Sequence, residues 1–115
     1  MVFLEREYLR NAVVKYASQW AYKRNPKYYN YDELGGDCTN FISQCIFAGS
    51  NIMNYKPTIG WYYINANNKS PSWTGVEYLH NYLTRKSGVG PIGKITTKEE
   101  IQEGDIIQLS FTSNK

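Results

Sequence analysis

The 115 residues fall within the size of one domain, and a hydrophobic share of 42% supports a single modest core. The formal charge of +3, with no Lys/Arg run interleaved among the aromatics, excludes the electrostatic footprint of a nucleic-acid reader. No apolar run approaches the roughly 20 residues of a membrane span, and residues 1–10 lack the apolar stretch of a signal peptide.

Leu9, Ala12, Val13, Tyr16, Ala17 and Trp20 recur at three- and four-residue spacing, which predicts a helix from about Leu4 to Arg24, stopped by Asn25-Pro26. A Tyr-rich stretch then leads into Leu34-Gly35-Gly36-Asp37, a turn signal placed before a second helix from Cys38 or Thr39 to Ala48. Phe41, Ile42, Cys45, Ile46 and Ala48 are expected to face inward there, with Gly49 as the stop. Residues 50–72 show no sustained period of either kind. Thr74-Gly75-Val76-Glu77 reads as a capping box for a third helix carrying Val76, Leu79 and Leu83 and closed by Gly88. Thr97 and Glu100 cap one further helical turn, and residues 105–111 read as a strand. A lone strand leaves its backbone groups unpaired, so it needs a partner from other sequence, from a second copy of the chain or from solvent.

Cys38 carries the chemistry. A thiol at a helix N-terminus meets unpaired backbone N–H groups and the positive end of the helix dipole, which favour the thiolate and offer donors to an oxyanion. Gly35-Gly36 leaves room for a substrate backbone to approach. The same local pattern fits equally a small buried residue at a helix start. Asp37 is read as the N-cap that fixes this turn. Cys45, seven residues on, stands about 10 Å from Cys38 along the helix, beyond disulfide reach, and reads as core. The single histidine, His80, flanks the apolar stripe of the third helix and reads as a surface residue rather than a general base. No His/Cys cluster suits a metal, and no phosphate loop is present, so no cofactor is expected. Trp61 and Trp73 read as core, while Tyr28, Tyr29 and Tyr31 fit either a core or a groove lining.

The run Gly36-Asp37-Cys38-Thr39-Asn40-Phe41-Ile42-Ser43-Gln44-Cys45 resembles the signature of the putative amidase domain family, a branch of the papain-like superfamily related to NlpC-type and CHAP cell-wall hydrolases. Asn11–Tyr16 with Asn25-Pro26-Lys27-Tyr28, Trp61-Tyr62-Tyr63, Ser72-Trp73-Thr74 and Gly104–Leu109 extend the likeness along nearly the whole chain. The resemblance implies an α+β fold: the helical N-terminal portion of a papain-like cysteine peptidase with its first barrel strand, the rest of the barrel lying downstream. Residues 1–115 then form the N-terminal part of one domain. It implies Cys38 as nucleophile, Tyr28 as an oxyanion donor, Gly36 and Asp37 as turn and cap support, and a catalytic histidine expected beyond the last residue. By itself the chain is then expected to be inactive. The implied substrate is a peptide or cell-wall amide, and the implied setting of the parent protein is the cell wall or exterior; the wealth of Asn, Lys, Ile and Tyr, encoded by AT-rich codons, separately points to a low-GC bacterium. The competing reading is a non-catalytic binding or assembly module, which pairs residues 105–111 with another copy.

Overall fold

The computed structural model describes residues 7–107, which form an α+β unit of four helices and a two-stranded antiparallel sheet. Helix α1 spans Arg10–Trp20 and α2 spans Asp37–Ser50, with a short 3-10 turn at Asp32–Leu34 between them. Strands β1 (Tyr63–Asn65) and β2 (Asn68–Lys69) make a hairpin, followed by α3 (Pro71–Thr74) and α4 (Val76–Leu83).

The first two helices pack antiparallel. The Leu9 N–H donates to the Gly49 carbonyl at 2.9 Å near one end, while the Tyr16 hydroxyl donates to the Gln44 amide oxygen nearer the other. Gly49 is not the stop of α2 but its point of closest approach to α1: a Cβ there would stand 2.4 Å from Val13 Cγ2 and 2.9 Å from Tyr8 Cε1. The helix ends one residue later. Asn51, at φ 58°, caps it by donating its N–H to the Phe47 carbonyl.

The core is aromatic. Trp61 and Trp73 are both fully buried, with ring centroids 4.9 Å apart. Phe47 meets each edge-on, Tyr82 stacks on Trp61, and Tyr28 stacks on Trp73. Such rings supply large buried area and need acceptors for their indole N–H groups. Helix α2 provides them. The Trp73 indole donates to Asn40 Oδ1 at 2.9 Å, and the Trp61 indole donates to Ser43 Oγ at 3.1 Å.

This corrects the inward face predicted for α2. Cys45 and Ile46 are buried as expected, but Phe41, Ile42 and Ala48 are only half-buried, while Asn40 and Ser43 are completely enclosed. Polar side chains win these positions because each satisfies partners that an apolar residue would orphan.

Three other expectations differ. The predicted third helix is split, since Gly75 takes an extended conformation (φ −109°, ψ 120°) and itself occupies the N-cap position of α4, so Thr74 ends α3 rather than capping α4. Helix α4 closes at Thr84, and the Arg85 guanidinium then organises the segment to Pro91 by donating to the carbonyls of Tyr82, Val89 and Pro91. Residues 98–100 form a turn, closed from the Glu100 N–H to the Thr97 carbonyl, not a helical turn. Of the predicted strand, Asp105–Ile107 carry no strand pairing, and residues 108–111 lie outside the described residues. No helix among the described residues is long and apolar enough to cross a membrane.

Candidate active site

Cys38 is the second residue of α2 and is exposed. Helix α2 opens when the Asn40 N–H donates to the Gly36 carbonyl at 3.0 Å, which makes Gly36 the N-cap position. Among the described residues the N–H groups of Asp37, Cys38 and Thr39 find no acceptor, and no side chain caps them. A thiol therefore stands beside uncommitted donors.

Asp37 does not cap the helix as expected. Its carboxylate turns away, accepting from both Arg24 guanidinium nitrogens at 3.0 Å, from the Tyr31 N–H at 3.0 Å and from Asn40 Nδ2 at 3.2 Å. Burial by itself would raise its pKa, but the hydrogen bonds from Arg24, Tyr31 and Asn40 outweigh burial and hold it below the ordinary 3.8. Two consequences follow for Cys38. The negative charge beside the thiol is matched by Arg24, and the first-turn N–H groups stay free for a ligand.

Gly36 also serves differently from the expectation. Its missing Cβ makes room for the protein, not the substrate: a Cβ would lie 2.9 Å from the Thr74 carbonyl oxygen and 3.1 Å from Thr74 Cβ, so α3 closes against the entry of α2. Gly35 is the residue with open space around it, and its φ of 77° suits glycine.

Tyr28 lies in the aromatic core, its ring 5.0 Å from Tyr63 and 6.0 Å from Trp73. Burial pushes its hydroxyl up to about 12, and the phenols of Tyr16 and Tyr63 add to that shift. No hydrogen bond joins it to Cys38. Cys45 is buried, and burial raises its thiol to about 11, so it stays protonated near neutral pH. His80 is exposed on α4 and shares no hydrogen bond with Cys38.

The residues missed in the sequence are Arg24, Asn40, Ser43 and Gln44. A usable signal existed for two of them: tryptophans assigned to a core require acceptors for their N–H groups, and Asn40 and Ser43 sit three apart on one helix face.

An α+β scaffold that presents one exposed thiol on the first turn of a helix, beside unclaimed N–H donors, defines a helix-borne cysteine site. The chain belongs to the putative amidase domain family, whose sequence profile matches residues 7–115. It is 36% identical over 108 residues to the uncharacterized protein YhbB of Bacillus subtilis (strain 168), an alignment covering 91% of this chain and 33% of that protein. It is also 28% identical over 102 residues to the uncharacterized protein YjcM of the same organism, covering 87% of this chain and 22% of that protein. The chain thus spans a third or less of the length of these relatives. No solved structure matches significantly.

Proposed function

We propose that this chain is the nucleophile-bearing part of a cysteine-dependent amidase of papain-like type, acting on amide bonds in peptides such as those of the cell wall. The observation that carries the reading is the exposure of Cys38 at the start of α2 with adjacent N–H groups uncommitted. The thiolate attacks the amide carbonyl, its sulfur bonding to carbon as the oxygen takes up charge beside the N–H groups of Cys38 and Thr39. An imidazolium protonates the amine as the C–N bond breaks, and water then hydrolyses the thioester to release the acid. The imidazole is assigned to a residue outside these 115, because His80 is exposed on α4 without a bond to the thiol. The strands that would complete a papain-like domain are assigned to sequence outside these 115 residues, and the match spans a third or less of the relatives' length.

The test compares amide hydrolysis by this chain with that by the chain continued through the next ~40 codons of its gene, each with Cys38 and with Cys38→Ala. Turnover is expected only in the longer protein with Cys38 present. Activity that survives Cys38→Ala in the longer protein rejects the nucleophile. Equal activity of the short and long proteins, lost on Cys38→Ala, rejects the external base. A longer protein that is inactive, and whose Cys38 reacts with iodoacetamide no faster than a free thiol, favours a binding module.

A further inference from the structure

A carboxylate in the first turn of a helix is drawn to the unpaired N–H groups there, the same donors that a substrate oxygen needs as it takes up charge. Asp37 is such a group, one residue before Cys38, and its two oxygens are held differently. Oδ1 accepts from the Tyr31 N–H at 3.0 Å, from Asn40 Nδ2 at 3.2 Å and from Arg24 Nη1 at 3.0 Å. Oδ2 accepts from Arg24 Nη2 at 3.0 Å, its one partner among the described residues. Arg24 alone therefore restrains the oxygen that is otherwise free to turn toward the N–H groups of Asp37, Cys38 and Thr39. The guanidinium is brought from another element. Arg24 lies past the end of α1, in a turn pinned to α2 through Asn25, whose Nδ2 donates to the Tyr16 hydroxyl at 3.1 Å, itself the donor to Gln44. The 3-10 turn adds two acids, Asp32 and Glu33, and Asp32 also accepts from Arg24 Nη2 at 3.2 Å. Helix α3, which closes against Gly36, carries no charge. Among the described residues Arg24 is the one cation paired with Asp32 or Asp37.

Resting on the assignment of Cys38 as nucleophile, we propose that Arg24 is a positioning residue of the reaction. It holds the Asp37 carboxylate off the entry of α2, so that the first-turn N–H groups serve the substrate oxygen and no unmatched negative charge opposes the one building there. Arg24 acts through Asp37 and does not touch the substrate. Removing the guanidinium while Asp37 remains releases Oδ2 and leaves its charge unmatched, a handicap for any anion that approaches the sulfur. Removing both side chains cancels the handicap, because no carboxylate remains to be held. A direct role, in which the Arg24 charge itself draws the anion in, predicts otherwise. Fixed charges act additively, so the loss of Arg24 would then cost the same with or without Asp37.

The experiment measures alkylation of Cys38 by iodoacetate and by iodoacetamide, reagents of like size that differ in charge, at one mildly alkaline pH and low salt. Labelling is located by mass spectrometry, which separates Cys38 from Cys45. The anionic reagent stands in for the substrate oxygen that gains charge. Both reagents draw on the same thiolate, so the ratio of iodoacetate to iodoacetamide rates reads the field at the sulfur and divides out its intrinsic reactivity. Arg24→Met is expected to lower that ratio about 3- to 5-fold, the effect of one unmatched charge a few ångströms away in a largely aqueous setting. Asp37→Asn is expected to raise it, and Arg24→Met added to Asp37→Asn to change it by less than about twofold. Should Arg24→Met lose helix content by circular dichroism, Arg24→Gln takes its place in both backgrounds. An equal fall in the two backgrounds assigns Arg24 a direct role and overturns the positioning one. So does a ratio that the folded Arg24 variant leaves unchanged. A slow iodoacetamide rate in every protein counts against Cys38 as nucleophile and leaves the ratios intact.

Discussion

Replacing Asn40 by Leu tests whether the polar row of α2 holds the fold together. The two side chains are similar in size, so cavity formation is small and the loss is chiefly of hydrogen bonds. Asn40 donates to the Tyr29 carbonyl at 3.0 Å and to Asp37 at 3.2 Å, and accepts from the Trp73 indole at 2.9 Å. Leaving the enclosed Trp73 N–H without an acceptor costs about 1–3 kcal/mol, and each of the other two bonds contributes about 0.5–1.5 kcal/mol. Roughly 1 kcal/mol returns from the extra apolar surface that Leu buries. The net expectation is a destabilisation of about 1–5 kcal/mol, a large share of the ~5–15 kcal/mol that holds a domain folded. Urea unfolding followed by far-ultraviolet circular dichroism reads this as a lower midpoint with an unchanged slope. Asn40→Asp sharpens the test, since it keeps the acceptor for Trp73 but sets a carboxylate against the Tyr29 carbonyl and the Asp37 carboxylate. At pH 7 it is expected to be less stable than Asn40→Leu, and to recover as the pH falls and the new group is neutralised. A loss under 1 kcal/mol for Asn40→Leu, at constant slope, would refute the view that these bonds outweigh apolar packing.

Two further predictions concern the entry to α2. Gly36→Ala puts a Cβ 2.9 Å from the Thr74 carbonyl oxygen, a backbone atom, so α3 must move away from α2; thermal unfolding is expected to drop by about 4–8 °C per kcal/mol of an overpacking cost of ~1–3 kcal/mol, and an unchanged midpoint would show the gap to be compliant. The Arg24–Asp37 pair predicts a pH-dependent stability difference between the protein and Arg24→Met. Because the folded Asp37 pKa lies below its ordinary 3.8, the pair's contribution is complete above that value and disappears as the pH falls through the lowered native one. The gap between the two proteins is therefore expected to be widest near neutrality and to close as the pH falls through the lowered Asp37 value, whereas a gap that stays constant throughout acid titration would remove the pair from the account.

The second helix shows how much was legible. Its expected span, Cys38 or Thr39 to Ala48, lies within the observed Asp37–Ser50, because the Gly35-Gly36 turn and the run of helix formers are local signals. The burial of Cys45, Trp61 and Trp73 was equally readable from apolar character. The hairpin was not, since strands of three and two residues are too short for alternation to register. Its turn depends instead on the Asn65 side chain, whose Oδ1 accepts from the Asn67 N–H at 2.9 Å. The first helix ends at Trp20 rather than near Arg24, and the chain that leaves it delivers Arg24 to Asp37 and Asn25 to Tyr16. A helical period has no means of foreseeing those pairings.

The division has a physical basis. Helix starts, turns and the choice of a cysteine at a helix entry depend on residues within a few positions of one another, so the order of amino acids determined them unaided. Where Asp37 sends its carboxylate, which faces of Asn40, Ser43 and Gln44 meet tryptophan or tyrosine, and what occupies the space at Gly36 depend on groups up to 38 residues away. Polar side chains carry no fixed preference for inside or outside: their burial is settled by the partners that folding brings within about 3 Å, and only the tertiary structure supplies those.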